Sequence, residues 1–348
     1  MAAALRILIA GLGGIGQRHA RNLRALLGDD VELLAYRARR RAPALNAKME
    51  VERGLDVEEK FQLRVFAELA DALAEKPDAI IIANPTSLHL PVALAAAQDG
   101  CHLFIEKPLS HNFDGVPEFL ELVARKNLVS LVGYQWRFHP LLERVRAALQ
   151  SETIGAIISV RAEFGEYLPG WHPYEDYRES YAARRELGGG VLLTQIHDFD
   201  YLGWLFGWPK RVYCVGGKLS NLEIDVEDTA SSLLTCEIGG REVPIHLHQD
   251  YVQRPPVRRC HVIGEKGTID VDLIRASYSV RDQSGAAIEA HAFDTFERNQ
   301  IFVAEMEHFL ACLRGEATSR LSAAEGAKSL RVALAAQESL QTGKVVDL

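Results

Sequence analysis

Cysteine is scarce in this chain. Cys101, Cys214, Cys236, Cys260 and Cys312 are scattered, odd in number and contain no C-x-x-C pair, which argues against a disulfide framework and against a zinc site. Such usage fits a reducing cytoplasm. Net positive charge is also missing: 39 Lys and Arg face 47 Asp and Glu, a formal charge of −8, the wrong sign for general affinity to nucleic acid or to an anionic membrane. The basic run RARRR at 37–41 is too local to reverse that balance. No apolar stretch is long enough to span a bilayer. The N-terminal LRILIAGLGGIG has almost no basic flank and no cleavage site, so it reads as a strand and turn rather than a secretory leader. Internal repeats and low-complexity linkers are absent. What is left is an ordinary globular composition, 48% apolar and 25% charged, over a length of 348 residues that suits two cores.

The informative features begin at once. Residues 7–40 run as an apolar strand, then Gly11, Gly13 and Gly16 in G-x-G-x-x-G spacing, an amphipathic helix and a second apolar strand. This reads as the first βαβ unit of a dinucleotide-binding domain. Gly11 permits the tight turn, Gly13 removes a Cβ from the path of the pyrophosphate, and Gly16 lets the helix pack closely on the strand. Backbone N–H groups at the helix start, around Gly14 and Ile15, then face the phosphates. Three glycines alone are weak evidence; their context strengthens them. An acidic residue at the end of the second strand would hold the ribose hydroxyls of NAD, but the chain has Arg37, Arg39 and Arg40 there. Guanidinium forks match a 2′-phosphate, which favours NADP, with NAD the alternative. Arg37 is the strongest of the three, and a plain solvated basic stretch is the competing reading.

Alternation of strand and helix continues through the first third. The continuous apolar run AIIIA at 79–83 suits a parallel strand covered on both faces. Helices over 88–97 and 116–126 and strands over 102–105 and 129–133 complete a doubly wound sheet. Beyond about residue 150 strands predominate, at 157–164, 211–215, 230–237, 242–248, 259–263 and 268–271, and helices at 301–313 and 323–342 close the chain. The expected fold is α/β. A Rossmann dinucleotide-binding domain over 1–134 precedes an α+β domain over 135–348 with a large, open, mostly antiparallel sheet, the C-terminal helix packing back on the first domain.

Two further motifs carry chemistry. Glu106-Lys107-Pro108 closes the strand HLFIE, on the edge where open α/β sheets bind ligands, placing Lys107 near the nicotinamide. In 188–207, GGGVLLTQIHDFDYLGWLFG, glycines precede a helix with Thr194, His197 and Asp200 three apart on one expected face. At another strand end, Asn84, Pro85, Thr86 and His89 are expected to line the adenosine and pyrophosphate groove. Arg137 and His139, in QWRFHP, are candidate substrate ligands. So are Trp171, Tyr174 and Arg178 in the aromatic segment 167–178, where flat rings suit sugars and Arg178 suits a carboxylate or phosphate. Packing of a loop or a subunit contact explains those aromatics equally well. His246 and His248 share a strand face without a third ligand, so no catalytic metal is expected.

Taken together, the glycine fingerprint, EKP, the glycine run before a helical histidine and the later open sheet resemble the Gfo/Idh/MocA family of NAD(P)-dependent oxidoreductases, over essentially the whole chain. RFHP, YLPGWHP, DYR and GGGVLL further resemble the branch associated with sugar nucleotide and nonulosonic acid metabolism. The resemblance implies sugar, polyol or acidic and nucleotide-linked sugar substrates, and a homodimer or homotetramer formed through the open sheet. It also implies a cis Lys107-Pro108 bond, and Lys107 and His197 as the catalytic pair. Histidine titrates near neutral pH, as a base that takes a hydroxyl proton must, while Lys107 donates to the substrate oxygen. The family usually has an Asp where this chain has Thr194, leaving Asp198 or Asp200 to orient His197. That departure keeps two alternatives open, a cofactor-binding sensor and a non-catalytic assembly subunit.

Overall fold

The protein is described from a computed structural model covering residues 4–37 and 43–348. Arg39 and Arg40 lie outside the described residues. The chain forms two compact units. The first runs to Gly133 and regains Phe302–Ala327; the second is Tyr134–Ile301 with Lys328–Leu348.

In the first unit the elements are β1 (Leu5–Ala10), α1 (Gly14–Leu27), β2 (Val31–Tyr36), α2 (Val57–Phe61), β3 (Leu63–Phe66), α3 (Leu69–Ala74), β4 (Ala79–Ile82), α4 (His89–Gln98), β5 (His102–Ile105), α5 (Val116–Arg125) and β6 (Ser130–Val132). The strands pair in parallel in the order β3-β2-β1-β4-β5-β6. Ile7 to Ala10 and Ala79 to Ile82 are fully buried, because helices cover both faces of the central strands. The order reverses between β1 and β4, and the crevice at such a switch point is where doubly wound sheets take ligands. Strand β3 lacks a continuous apolar run because it is the sheet edge, with Arg64 exposed. Residues 302–327 return to the other edge: Val132 N–H donates to Leu321 O at 2.8 Å, Ala323 N–H to Ser130 Oγ at 3.1 Å, and Phe309 meets Phe104 edge-on at 5.5 Å.

The second unit contains α6 (Pro140–Gln150), β7 (Ile157–Gly165), α7 (Val191–Thr194), α8 (His197–Phe206), β8 (Pro209–Gly217), β9 (Thr229–Ile238), β10 (Arg241–Asp250), β11 (Val257–Gly264), β12 (Gly267–Asp272), β13 (Ser277–Asp282), β14 (Ala287–Ala292) and β15 (Val346–Asp347). Two helices, α9 (Asn299–Leu313) and α10 (Ala323–Thr342), have residues in both units. The nine strands follow the order β14-β13-β12-β11-β7-β10-β9-β8-β15, and only the β10–β7 pair is parallel. One row of facing residues crosses seven strands: Val212, Leu234, Ile245, Val160, Val262, Ile269 and Val280, all buried. The neighbouring row points the other way and reads Tyr213, Leu233, His246, Arg161, His261, Asp270 and Ser279. Period-two alternation thus gives the sheet one core face and one polar face. On the polar face a groove of about 660 Å³ runs over Arg161, His246, His248, Arg259 and His261.

Candidate active site

In the first unit the candidate residues gather at the switch point of the sheet. A Cβ on Gly11 would sit 2.8 Å from the backbone of Ala83 and Asn84, and its φ of +101° suits only glycine comfortably. A Cβ on Gly16 would sit 2.0 Å from Gly11 O, so close helix–strand packing requires this glycine. Gly13 differs: a Cβ there would meet nothing within 4 Å. Its direction is open, which is what an approaching pyrophosphate needs. Helix α1 has no side-chain cap and no acidic residue in its first turn, so no carboxylate repels an anion at Gly14, Ile15 and Gly16. Across the crevice the buried Asn84 Oδ1 has no hydrogen-bond partner among the described residues. Pro85 precedes the turn Thr86–Leu88, and Thr86 is buried. These features fit a dinucleotide.

At the end of β2, Arg37 N–H donates to Phe66 O and its guanidinium pairs with Glu58 of α2, so an acidic neighbour accompanies the arginine. His89 is buried with Nδ1 2.7 Å from Pro108 O and Nε2 2.9 Å from Asn84 O, and burial lowers its pKa. The neutral ring has a single N–H, which donates to the nearer carbonyl, Pro108 O, so His89 tethers that loop instead of facing the groove. Lys107 is half-buried directly after β5, and its bond to Pro108 is cis. Glu106 accepts from His19 Nε2 at 2.7 Å and from the Lys107 N–H at 3.3 Å.

In the second unit the candidate residues centre on α8, whose first residue is His197, 4% exposed. Tyr134 meets its ring edge-on at 6.0 Å. The expected single helix is instead two, broken at Gln195 and Ile196, so Thr194 leaves the face expected to hold it with His197 and Asp200. The fully buried Thr194 hydroxyl bonds Gly190 O and the Tyr251 hydroxyl. The glycine run serves the same packing: a Cβ on Gly190 would strike the Glu227 carboxylate at 2.3 Å and one on Gly189 would strike Tyr181 O at 2.5 Å.

Several expected substrate ligands are committed elsewhere. Arg137 grips Asp200 with both ends of its fork, at 2.8 and 2.7 Å, and Ser329 adds a third bond at 2.8 Å; the buried pair satisfies itself. His139 caps α6 by accepting from Leu141 N–H at 3.2 Å, stacks on Trp136, and is pushed down to about 4 by burial. It is a neutral core residue. Arg178 is exposed and its guanidinium is divided between Asp176 and Glu223. Trp171 packs edge-on against Tyr251 and Phe164, and Tyr174 stacks on His172.

Sequence reasoning missed the residues that brace these segments. Gln17 holds the glycine turn through Leu12 O and the following loop through Pro43 O and Leu45 N–H. His19, three residues beyond Gly16, was signalled only by that spacing. Gln195 is clamped by Gln249 at 2.7 Å and by Arg258 at 2.6 Å, while the buried Asp198 has its pKa raised by desolvation, opposed by Arg258 3.7 Å away. Nothing in the local sequence announces those partners.

Against known families, the profile described as "Oxidoreductase family, NAD-binding Rossmann fold" matches residues 5–134, and "GFO/IDH/MocA C-terminal domain" matches 142–270. The chain belongs to the Gfo/Idh/MocA family. A Gfo/Idh/MocA member is a nicotinamide-dependent oxidoreductase, and the first unit is its cofactor domain. Among its relatives, myo-inositol 2-dehydrogenase of Thermotoga maritima is 27% identical, over 99% of this chain and 98% of that protein. UDP-N-acetylglucosamine 3-dehydrogenase of Acidithiobacillus ferrooxidans is 26% identical, over 81% and 85%. The fold is shared with the WlbA dehydrogenase from Bordetella pertussis, solved with NADH and UDP-GlcNAcA, at TM-score 0.78 and 23% identity, covering 99% of this chain and 98% of that one.

Proposed function

We propose that this protein is an NADP-preferring dehydrogenase acting on a secondary alcohol of a sugar, polyol or nucleotide-linked sugar. The observation that carries the reading is Lys107, half-buried at the carboxyl end of β5 in the same unit as the open Gly13 turn. The turn at Gly11, Gly13 and Gly16 would hold a nicotinamide cofactor, which would supply hydride acceptance or donation. Lys107 donates a hydrogen bond to the substrate oxygen and stabilises charge growing there. His197 takes the hydroxyl proton in oxidation and returns it in reduction. Substrates named for the relatives, inositol and UDP-N-acetylglucosamine, share a ring of secondary hydroxyls.

NADP preference rests on Arg37, whose guanidinium would exchange Glu58 for a 2′-phosphate. Self-association through the polar face of the nine-stranded sheet is supported by the exposed Tyr213, Val215 and Leu233 at one end of that face. Cytoplasmic residence is supported by five buried, unpaired cysteines, with burial pushing the thiols of Cys236 and Cys260 up to about 12.

The test is turnover of myo-inositol, D-xylose and UDP-N-acetylglucosamine with NAD and NADP. Wild type should turn over at least one of them, and Lys107→Ala and His197→Ala should each lower kcat by about 100- to 10,000-fold. Tight NADPH binding with no turnover on any of them favours the sensor. NAD binding as tightly as NADP to wild type, with Arg37→Ala changing neither, removes the cofactor preference.

A further inference from the structure

We infer that His19 and His89 are positioning residues, two buried imidazoles that grip the turn on either side of Lys107. On the N-terminal side, His19 of α1 is fully buried, meets Phe104 of β5 edge-on at 4.9 Å, and places Nε2 2.7 Å from Glu106 Oε1. The second oxygen of Glu106 accepts the Lys107 backbone N–H at 3.3 Å. Gly133 leaves this carboxylate its space: a Cβ there would press on it at 3.2 Å. On the C-terminal side, His89 of α4 places Nδ1 2.7 Å from Pro108 O, while its Nε2 reaches Asn84 O at the end of β4. The lysine is thus bracketed by two helices, α1 and α4, that are well separated in the cofactor domain's sequence.

The physical need is plain. A lysine has a flexible four-carbon stem with many rotamers, so uncertainty in its backbone adds to that of its tip. Displacing a catalytic group by about 1 Å costs on the order of 100-fold in rate. An imidazole supplies a short, rigid donor from a neighbouring helix without introducing a second long cation beside the lysine.

The inference rests on the assignment of Lys107 to the chemistry, and its test separates the two. An asparagine amide reaches where histidine Nδ1 lies and a glutamine amide where Nε2 lies. His19→Gln should therefore keep the grip on Glu106 and His19→Asn lose it. At position 89, Asn should keep Pro108 and Gln should lose it. In the full-length protein, His19→Leu and His89→Leu should accelerate hydrogen–deuterium exchange across residues 105–109 by about 10-fold or more, leaving β1 and β4 unchanged. With whichever of myo-inositol, D-xylose or UDP-N-acetylglucosamine turns over, kcat should fall about 10- to 100-fold at unchanged cofactor KM. His19→Gln and His89→Asn should recover most of it, and in a Lys107→Ala background either Leu substitution should cost nothing further. Exchange that rises throughout the sheet or not at all, rescue by the wrong amide, or an equal loss in the Lys107→Ala background would overturn the inference. Should Lys107→Ala itself leave kcat intact, the assignment of the lysine fails, and the exchange arm still reports on the grip.

Discussion

The turn that carries Lys107 and the helix that carries His197 are held by different partners. Around the lysine the brace lies within the cofactor domain: Glu106 bonds the amide of the residue after it and is itself held by His19, His89 meets Pro108, and the strand before is a run of buried apolar side chains. Around the histidine, support arrives from far along the chain. Gln249 and Arg258, on β10 and β11, clamp Gln195 just before α8, and Arg137 and Ser329 share Asp200 one turn into it.

That difference is broken most directly at Asp200. Asp200→Ala leaves the Arg137 charge buried with its fork unmatched, and removing one partner of such a pair costs about 3–5 kcal/mol. Urea unfolding should show that loss. Replacing both residues together by Leu and Met should restore most of the stability, since two apolar side chains leave no orphaned charge. If Asp200→Ala instead raised a substrate KM at unchanged stability, Arg137 would belong to substrate recognition after all.

A second handle is acid. His139 is fully buried and titrates near 4 in the folded chain, against about 6.5 when unfolded. Between those values the unfolded chain binds the extra proton, so stability rises with pH and is lost as pH falls from 6.5 towards 4. The full contribution is roughly 3 kcal/mol. His139→Asn keeps an acceptor for the Leu141 N–H and should flatten the difference between midpoints measured at pH 7 and pH 4.5. An unchanged slope would mean that other buried groups, His89 among them, dominate the acid limb.

The contrast also explains what could be read in advance. Parallel strands β1, β4 and β5 were legible because burial on both faces demands an unbroken apolar run, and β7 to β12 because period two survives in them, whereas β13, β14 and β15 at the ends of the second sheet were not read. The edge strand β3 and the short helices α2 and α3 left no such trace. Within the candidate site, the glycine fingerprint and EKP were legible as contiguous motifs. The pairing of Arg137 with Asp200, 63 positions apart, was not: each residue has the chemistry of a substrate ligand, and only the fold reveals that they satisfy one another. Thr194 misled for a related reason. Spacing of three implies a shared helical face only if the helix is continuous, and the clamp on Gln195 accompanies a break.

The glycine turn sharpens the comparison at smaller cost. Gly16→Ala forces a Cβ onto Gly11 O and should destabilise the first unit by about 1–3 kcal/mol, as overpacking does. Gly13→Ala places its methyl in open space at φ −67°, a conformation alanine adopts freely, so stability should hold or rise by up to about 1 kcal/mol while the dissociation constant for NADPH rises. Equal effects of the two on stability would mean that Gly13 serves packing and not the cofactor.

The smallest effect is expected at Arg178, where the second unit's exposed surface tests the rule that governs its interior. The guanidinium is already divided between two carboxylates, and the bonds it makes pull Asp176 down to about 2. All three groups are wet, so water and salt compete for each and the arrangement adds little to folding. Arg178→Ala should therefore leave the urea midpoint unmoved. Because Asp176 and Glu223 fill the fork, it should also leave the KM for a sugar carrying a carboxylate equal to wild type. A selective rise in KM for UDP-N-acetylglucosaminuronic acid over UDP-N-acetylglucosamine would show that substrate displaces those two acids. Arg178 would then be a recognition residue held in reserve by its neighbours.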